Sequence, residues 1–256
     1  MSVNLLRTQD GASLYAEQFD LGFTEIFGLQ DKVARQVVER LHYRLSAAEQ
    51  ARVAKHHTTN PQAYEYYIKA TYYFGDRKIF WWQRELTDKA VALLQQAVTL
   101  DPNYALARVM LAYGYAHTAI FHEQSPELIR RATLELAQAE TLDPQLAEIH
   151  VVRSFILFSR YKGYPFAETL AELRQAQRLD PNAGHFELAF VYAHWGLTQW
   201  QQELEQALTL EPTSEVIKDH IIRFYFIDQP EKALAAMKRF GLRERDAAYP
   251  LYLAFY

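Results

Sequence analysis

The side chains best suited to chemistry in this sequence are its nine histidines. His117 and His122 stand five apart, and His56 and His57 are adjacent, so each pair could offer two imidazoles to a metal ion. Neither pair has a third ligand in register for the four-coordinate shell zinc prefers. His150 follows Glu148 in a Glu-x-His phrase, which is common and carries no site by itself. These histidines read as helix-face or surface residues. Cysteine is absent, which removes thiolate nucleophiles, thiolate metal sites and disulfides. A nucleophile would then have to be a serine, yet Ser125, Ser154 and Ser159 stand in no Gly-x-Ser-x-Gly context. No Gly-rich phosphate loop or His-Glu-x-x-His phrase occurs. The sequence predicts a non-enzymatic chain that needs no cofactor.

Charge and composition narrow the partners. The 27 basic and 31 acidic residues are interspersed, giving a formal charge of −4 and no basic block long enough for nucleic acid. Half of the residues are hydrophobic, enough to bury an extended core. The densest apolar run, Val151-Val152 and then Phe155 to Phe158, is broken by Arg153 and Ser154, far short of the roughly 20 residues a membrane span needs. Met1 to Arg7 has no apolar signal core, so the expected location is the cytoplasm. Only nine Gly and nine Pro argue against a turn-rich all-β fold.

What positions any site must therefore be helices, and they repeat. Four segments share one ending: Leu100-Asp101-Pro102, Leu142-Asp143-Pro144, Leu179-Asp180-Pro181 and Leu210-Glu211-Pro212. Five residues before each proline stands Ala97, Ala139, Ala176 or Ala207; eight before it stands Leu94, Leu136, Leu173 or Leu204. Twelve before it stand Ala90, Ala132, Thr169 and Trp200. Separations of three and four place these residues on one helical face. The acid-proline pair stops one helix and starts the next. A partner helix carries a small residue followed three positions later by a bulky one: Ala70/Tyr73, Ala112/Tyr115, Ser154/Leu157 and Ala189/Tyr192.

Over about residues 60 to 240 this pattern resembles the tetratricopeptide repeat, with its small-x-x-Tyr, Ala-x-x-x-bulky and closing Pro. The resemblance implies an all-α, helix-turn-helix solenoid of about four to five helix pairs, wound as a right-handed superhelix. Departures are visible. The prolines lie 42, 37 and 31 residues apart by their numbering, against a family period of about 34. The long interval predicts extra residues around Phe121 to Leu128, and the short one a reduced unit. Trp200 in place of a small residue predicts a wider helix crossing. A fifth, degenerate unit is predicted from Val216 to Phe240, with Pro230 opening its second helix.

The first fifty residues read differently. Val3 to Thr8 and Ser13 to Phe19 are β-leaning runs about an Asp10-Gly11 turn signal. An amphipathic helix is predicted from about Thr24, as N-cap, to Leu45, with Ile26, Val33, Val37, Val38, Leu41 and Leu45 in its apolar stripe. Tyr15, Glu17, Phe19 and Asp20, followed by Ile26, Phe27, Gln30 and Asp31, resemble the end of the TolB-like domain that precedes tetratricopeptide arrays in bacterial regulators. Relatives of that kind carry a winged-helix DNA-binding, class III cyclase or Ser/Thr kinase head. The implied organisation is a β-hairpin remnant over 1–22, a connecting helix over 23–58 and a repeat domain over 59–256. A lone hairpin is marginal in water, so it is expected to pack on the first helices or pair with a second copy.

The family's groove positions fall on Tyr64, Tyr67, Thr71 and Phe74 in the first unit, and on Leu106, Val109 and Tyr113 in the second. The third supplies Glu148, Val151, Phe155 and Phe158. This set is apolar and aromatic, suited to a peptide or protein ligand. It lacks the Lys and Asn with which chaperone-binding relatives clamp a peptide carboxylate. Phe80, Trp81 and Trp82, between Arg77-Lys78 and Arg84, form a second candidate contact surface, or else cap the first repeat. The apolar run from Tyr249 to Tyr256 is expected to fold over the last helix pair or to dock on a neighbour. The whole predicts a protein-binding scaffold of a bacterial regulator, or the non-catalytic part of a signalling enzyme. The periplasm is the alternative location if a membrane-anchored segment precedes it.

Overall fold

A computed structural model describes residues 2–6, 13–18, 33, 36–37, 57–75 and 84–241. Strands β1 (Ser2–Leu6) and β2 (Ser13–Gln18) pair antiparallel, with Val3 opposite Glu17 and an irregularity between Leu5 and Leu6. Of the connecting helix predicted over 24–45, only Val33, Gln36 and Val37 are described, and all three are helical. The rest of that segment, Asp10-Gly11, Phe80 to Trp82 and Tyr249 to Tyr256 lie outside the described residues.

The remainder is helical. Five antiparallel pairs follow one another: α1 (Pro61–Gly75) with α2 (Arg84–Leu100), then α3 (Ala105–His117) with α4 (Pro126–Leu142). The third is α5 (Ala147–Leu157) with α6 (Phe166–Leu179), and the fourth α7 (His185–His194) with α8 (Trp200–Leu210). The fifth is α9 (Glu215–Asp228) with α10 (Pro230–Arg239), where Pro230 opens the second helix as predicted. The first helices of successive pairs also touch, α3 against α5 and α5 against α7, so they form one continuous wall.

The repeated residues explain why. Ala90, Leu94 and Ala97 are fully buried, as are Ala132 and Ala139, Leu173 and Ala176, and Leu204. Small side chains at these points let two backbones approach closely. The leucine between them fills the remaining space at crystal-like density. On the partner helices Ala70, Ala112 and Ala189 are equally buried, and Ser154 nearly so. The acid-proline endings work as turns: the Asp101, Asp143 and Asp180 amides donate to Ala97, Ala139 and Ala176. Their carboxylates then accept the amides of Asn103, Gln145 and Asn182 at 3.0, 3.4 and 3.1 Å. An aspartate satisfies the helix end and shapes the bend while proline forbids another turn of helix.

The irregular spacings have structural outlets. In the long interval, α3 runs on into a π-helical turn, Thr118–Glu123, which ends at Gln124 with a left-handed φ of 52°. Ser125 then caps α4 by accepting the Leu128 amide, with Pro126 in the first turn. The short interval has short helices, and α7 opens at Gly184 (φ 73°), where an added Cβ would sit 3.2 Å from Leu173 Cδ2. Trp200 is buried and faces forward, its ring 5.5 Å from Phe224 and 4.8 Å from Tyr225 in the next unit. The indole therefore bridges two repeats.

Candidate functional site

The wall of first helices carries a cavity of about 560 Å3. Of the predicted groove residues, it gathers Thr71 and Phe74 from α1, Tyr113 from α3, and Glu148, Val151 and Phe155 from α5, with Phe158 just beyond α5. The aromatic rings form two runs: Phe74 to Tyr113 is 5.3 Å and Tyr113 to Phe155 is 5.2 Å, while Phe158 to Phe190 is 5.9 Å. Such separations are those of edge-on and tilted aromatic contacts.

Other predicted positions lie elsewhere. Tyr64 and Tyr67 stack 6.5 Å apart, and Tyr67 meets Tyr104 at 5.2 Å, outside the cavity lining. Val109 is fully buried in the core, and Leu106 is half-buried against it; neither lines the cavity. Phe80, Trp81 and Trp82 belong to the undescribed segment.

Residues that sequence reasoning missed complete the cleft. Phe186 and Phe190 on α7 line it, with Ile120 and Phe121 from the π-helical turn. Phe190 follows Ala189 directly, just as Tyr113 follows Ala112 and Phe155 follows Ser154. That offset was available for the fourth unit. Phe121 had no such signal, because it sits on an insertion that the repeat pattern does not number.

Comparison with solved structures matches this arrangement to a thermophilic tetratricopeptide (TPR) protein of Thermus thermophilus. The TM-score is 0.57 at 20% identity, covering 75% of this chain and 98% of that one. The chain has the TPR fold. A candidate adenylate cyclase of Rhizobium meliloti (strain 1021) is 29% identical over 102 residues, which are 40% of this chain and 16% of that protein. The chain thus spans a small part of that relative. No protein-family model matches the sequence.

The electrostatics of the TPR cleft follow from which residues reach it. Its lining residues include Glu148, Asp180, Glu187 and Glu211, together with His185 and no Lys or Arg. Burial, and then the Glu148 carboxylate, push the Tyr67 hydroxyl above its usual pKa, so Glu148 acts across from the third unit to the first. Basic side chains of the first helices engage glutamates of neighbouring helices. Arg108 meets Glu135 at 2.6 Å, Arg153 meets Glu140 and Glu172, and His185 meets Glu203 at 2.6 Å. His150 likewise meets Glu172 at 2.6 Å. Position by position, Glu135, Glu172 and Glu203 each lie nine residues before a repeat proline. The second, third and fourth TPR pairs are therefore each latched by a polar rung, which the apolar pattern does not reveal.

His117, which does not line the cleft, is fully buried beside Phe121 (4.8 Å), Tyr113 (6.0 Å) and His122 (5.4 Å). Burial first, then His122, depress its pKa to about 3, so it is a neutral ring at physiological pH. No group of three His, Asp or Glu among the described residues is placed to share a metal ion. No helix among them is long and apolar enough to cross a membrane. What the cleft presents is a floor of aromatic rings.

Proposed function

We propose that this chain is a non-catalytic protein-interaction module, which holds a peptide or protein segment in the aromatic cleft of a right-handed TPR superhelix. The observation that carries the reading is the row Phe74, Tyr113, Phe155, Phe158 and Phe190, which spans four units and lines one cavity. Aromatic rings packed by their neighbours present large apolar area with little entropy left to lose on binding. Among the described residues, no cation stands at these positions to clamp a carboxylate terminus. In this reading the module serves sensing or assembly in a bacterial regulator, within the cytoplasm. Strands β1 and β2 are then the remnant of a TolB-like domain.

Selection from an unbiased peptide display library tests the reading. Peptides selected on the folded chain should bind in calorimetry and lose at least about tenfold in affinity to a Phe155→Asp, Phe190→Asp variant. Failure to select any peptide, or equal affinity for the variant, refutes docking in the cleft.

A second reading has its own observation. The 102-residue likeness to a candidate adenylate cyclase supports a role as the regulatory part of a signalling enzyme whose catalytic domain lies outside this sequence. Sequencing the DNA upstream of the Met1 codon decides it: an in-frame cyclase, kinase or winged-helix head distinguishes the cases at once.

A further inference from the structure

The cleft is apolar on its floor and singly signed at its rim. Four acidic residues line it, Glu148 and Asp180 from the third unit and Glu187 and Glu211 from the fourth. Glu148 and Glu211 are exposed and Glu187 half-buried. No described cation pairs with Glu148, Glu187 or Glu211, whereas the Asp180 carboxylate already accepts the Asn182 amide in its turn. The arginines of the same repeats are held away, Arg108 by Glu135 and Gln138, and Arg153 by Glu140 and Glu172. Like charges around a low-dielectric concavity focus a negative potential, which favours a cationic ligand.

We infer that the occupant of this cleft is a cationic amphipathic segment of a partner protein, with aromatic or aliphatic side chains on one face and Lys or Arg on the other. The inference rests on the docking reading above and adds the sign of the ligand. Apolar side chains of the segment replace water over Phe155, Phe158 and Phe190. Its cations meet Glu148 and Glu187 at the rim, where attraction is partly screened by salt. An anionic segment of the same shape is rejected, because it would bring carboxylates against carboxylates.

The test uses the full chain and three labelled peptides in fluorescence anisotropy. One has Leu and Phe on one helical face and Lys on the other. In the second every Lys is replaced by Glu, and in the third every Leu and Phe is replaced by Ser. The Lys probe should bind at least about tenfold more tightly than either of the others, and weaken about tenfold between roughly 50 and 500 mM sodium chloride. Glu148→Lys with Glu187→Lys should reverse the preference between the Lys and Glu probes while circular dichroism stays unchanged. Salt dependence on the unaltered chain keeps the inference testable should that variant misfold. Equal binding of Lys and Glu probes, with loss in the Phe155→Asp, Phe190→Asp variant, overturns the charge inference and leaves docking intact. Equal binding of the Lys and Ser-substituted probes means simple polycation attraction and overturns it too. If no probe binds while display-selected peptides do, the ligand is not of this class; if neither binds, docking itself falls.

Discussion

Acidification from pH 7 to pH 5 should destabilise the chain through His117, and the size of the effect can be worked out. The ring is fully buried and its pKa falls from 6.5 to about 3 because burial disfavours the charged form. In the unfolded chain the imidazole takes up a proton near pH 6.5; in the folded chain it stays neutral to about pH 3. The unfolded state therefore binds more protons over that window. Stability attached to His117 is complete above pH 6.5, falls through the window and levels off below about pH 3. At about 1.36 kcal/mol per pH unit, the drop to pH 5 amounts to about 2 kcal/mol. His117→Leu, or His117→Phe if leucine fits poorly, removes the titrating group while leaving His122 and every carboxylate in place. Urea unfolding followed by far-ultraviolet circular dichroism at both pH values gives the comparison. Wild type should lose about 2 kcal/mol more than the variant. Parallel losses in the two proteins would refute the neutral, buried ring and the closed packing behind it.

Three further outcomes are expected. Gly114 lies within α3, where alanine is intrinsically favoured by about 1 kcal/mol, yet an added Cβ would stand 2.6 Å from Val91 Cγ2. Gly114→Ala should therefore cost about 1–2 kcal/mol in thermal or urea unfolding, and Val91→Ala in the same chain should restore about half; a stabilised single variant would disprove the close approach. Glu203 and His185 form the most enclosed polar rung, with 13% and 12% side-chain exposure. Glu203→Gln should cost about 1–3 kcal/mol, and a double-mutant cycle with His185→Gln should show coupling above about 0.5 kcal/mol; additive losses would mean the rung is incidental. Light scattering should find a dimer for the full chain and a monomer without residues 1–20 if β1 and β2 pair with a second copy, while monomers in both cases exclude that assembly.

Much of the fold was legible because its determinants are local and repeated. Ala97, Ala139, Ala176 and Ala207 recur at one distance from a proline, and helix periodicity turns that distance into a shared buried face. Asp-Pro punctuation placed the helix ends. The cleft was legible only in part. Tyr113, Phe155 and Phe158 follow from their offsets, but Val109 shares an offset with Val151 and is nevertheless buried. Sequence offset fixes a direction around the helix, whereas exposure depends on how far the neighbouring pair has closed.

By itself the sequence determined the repeat register, the helix ends, the buried alanine-leucine seams and the absence of thiol chemistry. Tertiary structure alone decided three matters. It extended α3 by a π-helical turn, so that Ile120 and Phe121 joined the cleft. It paired Arg108, His150 and His185 with glutamates 27, 22 and 18 residues away, across separate helices. And it gathered four acidic residues from two units around one aromatic floor. Local spacing specifies what lies along one helix, but charge balance and enclosure are sums over several helices and exist only once these have packed.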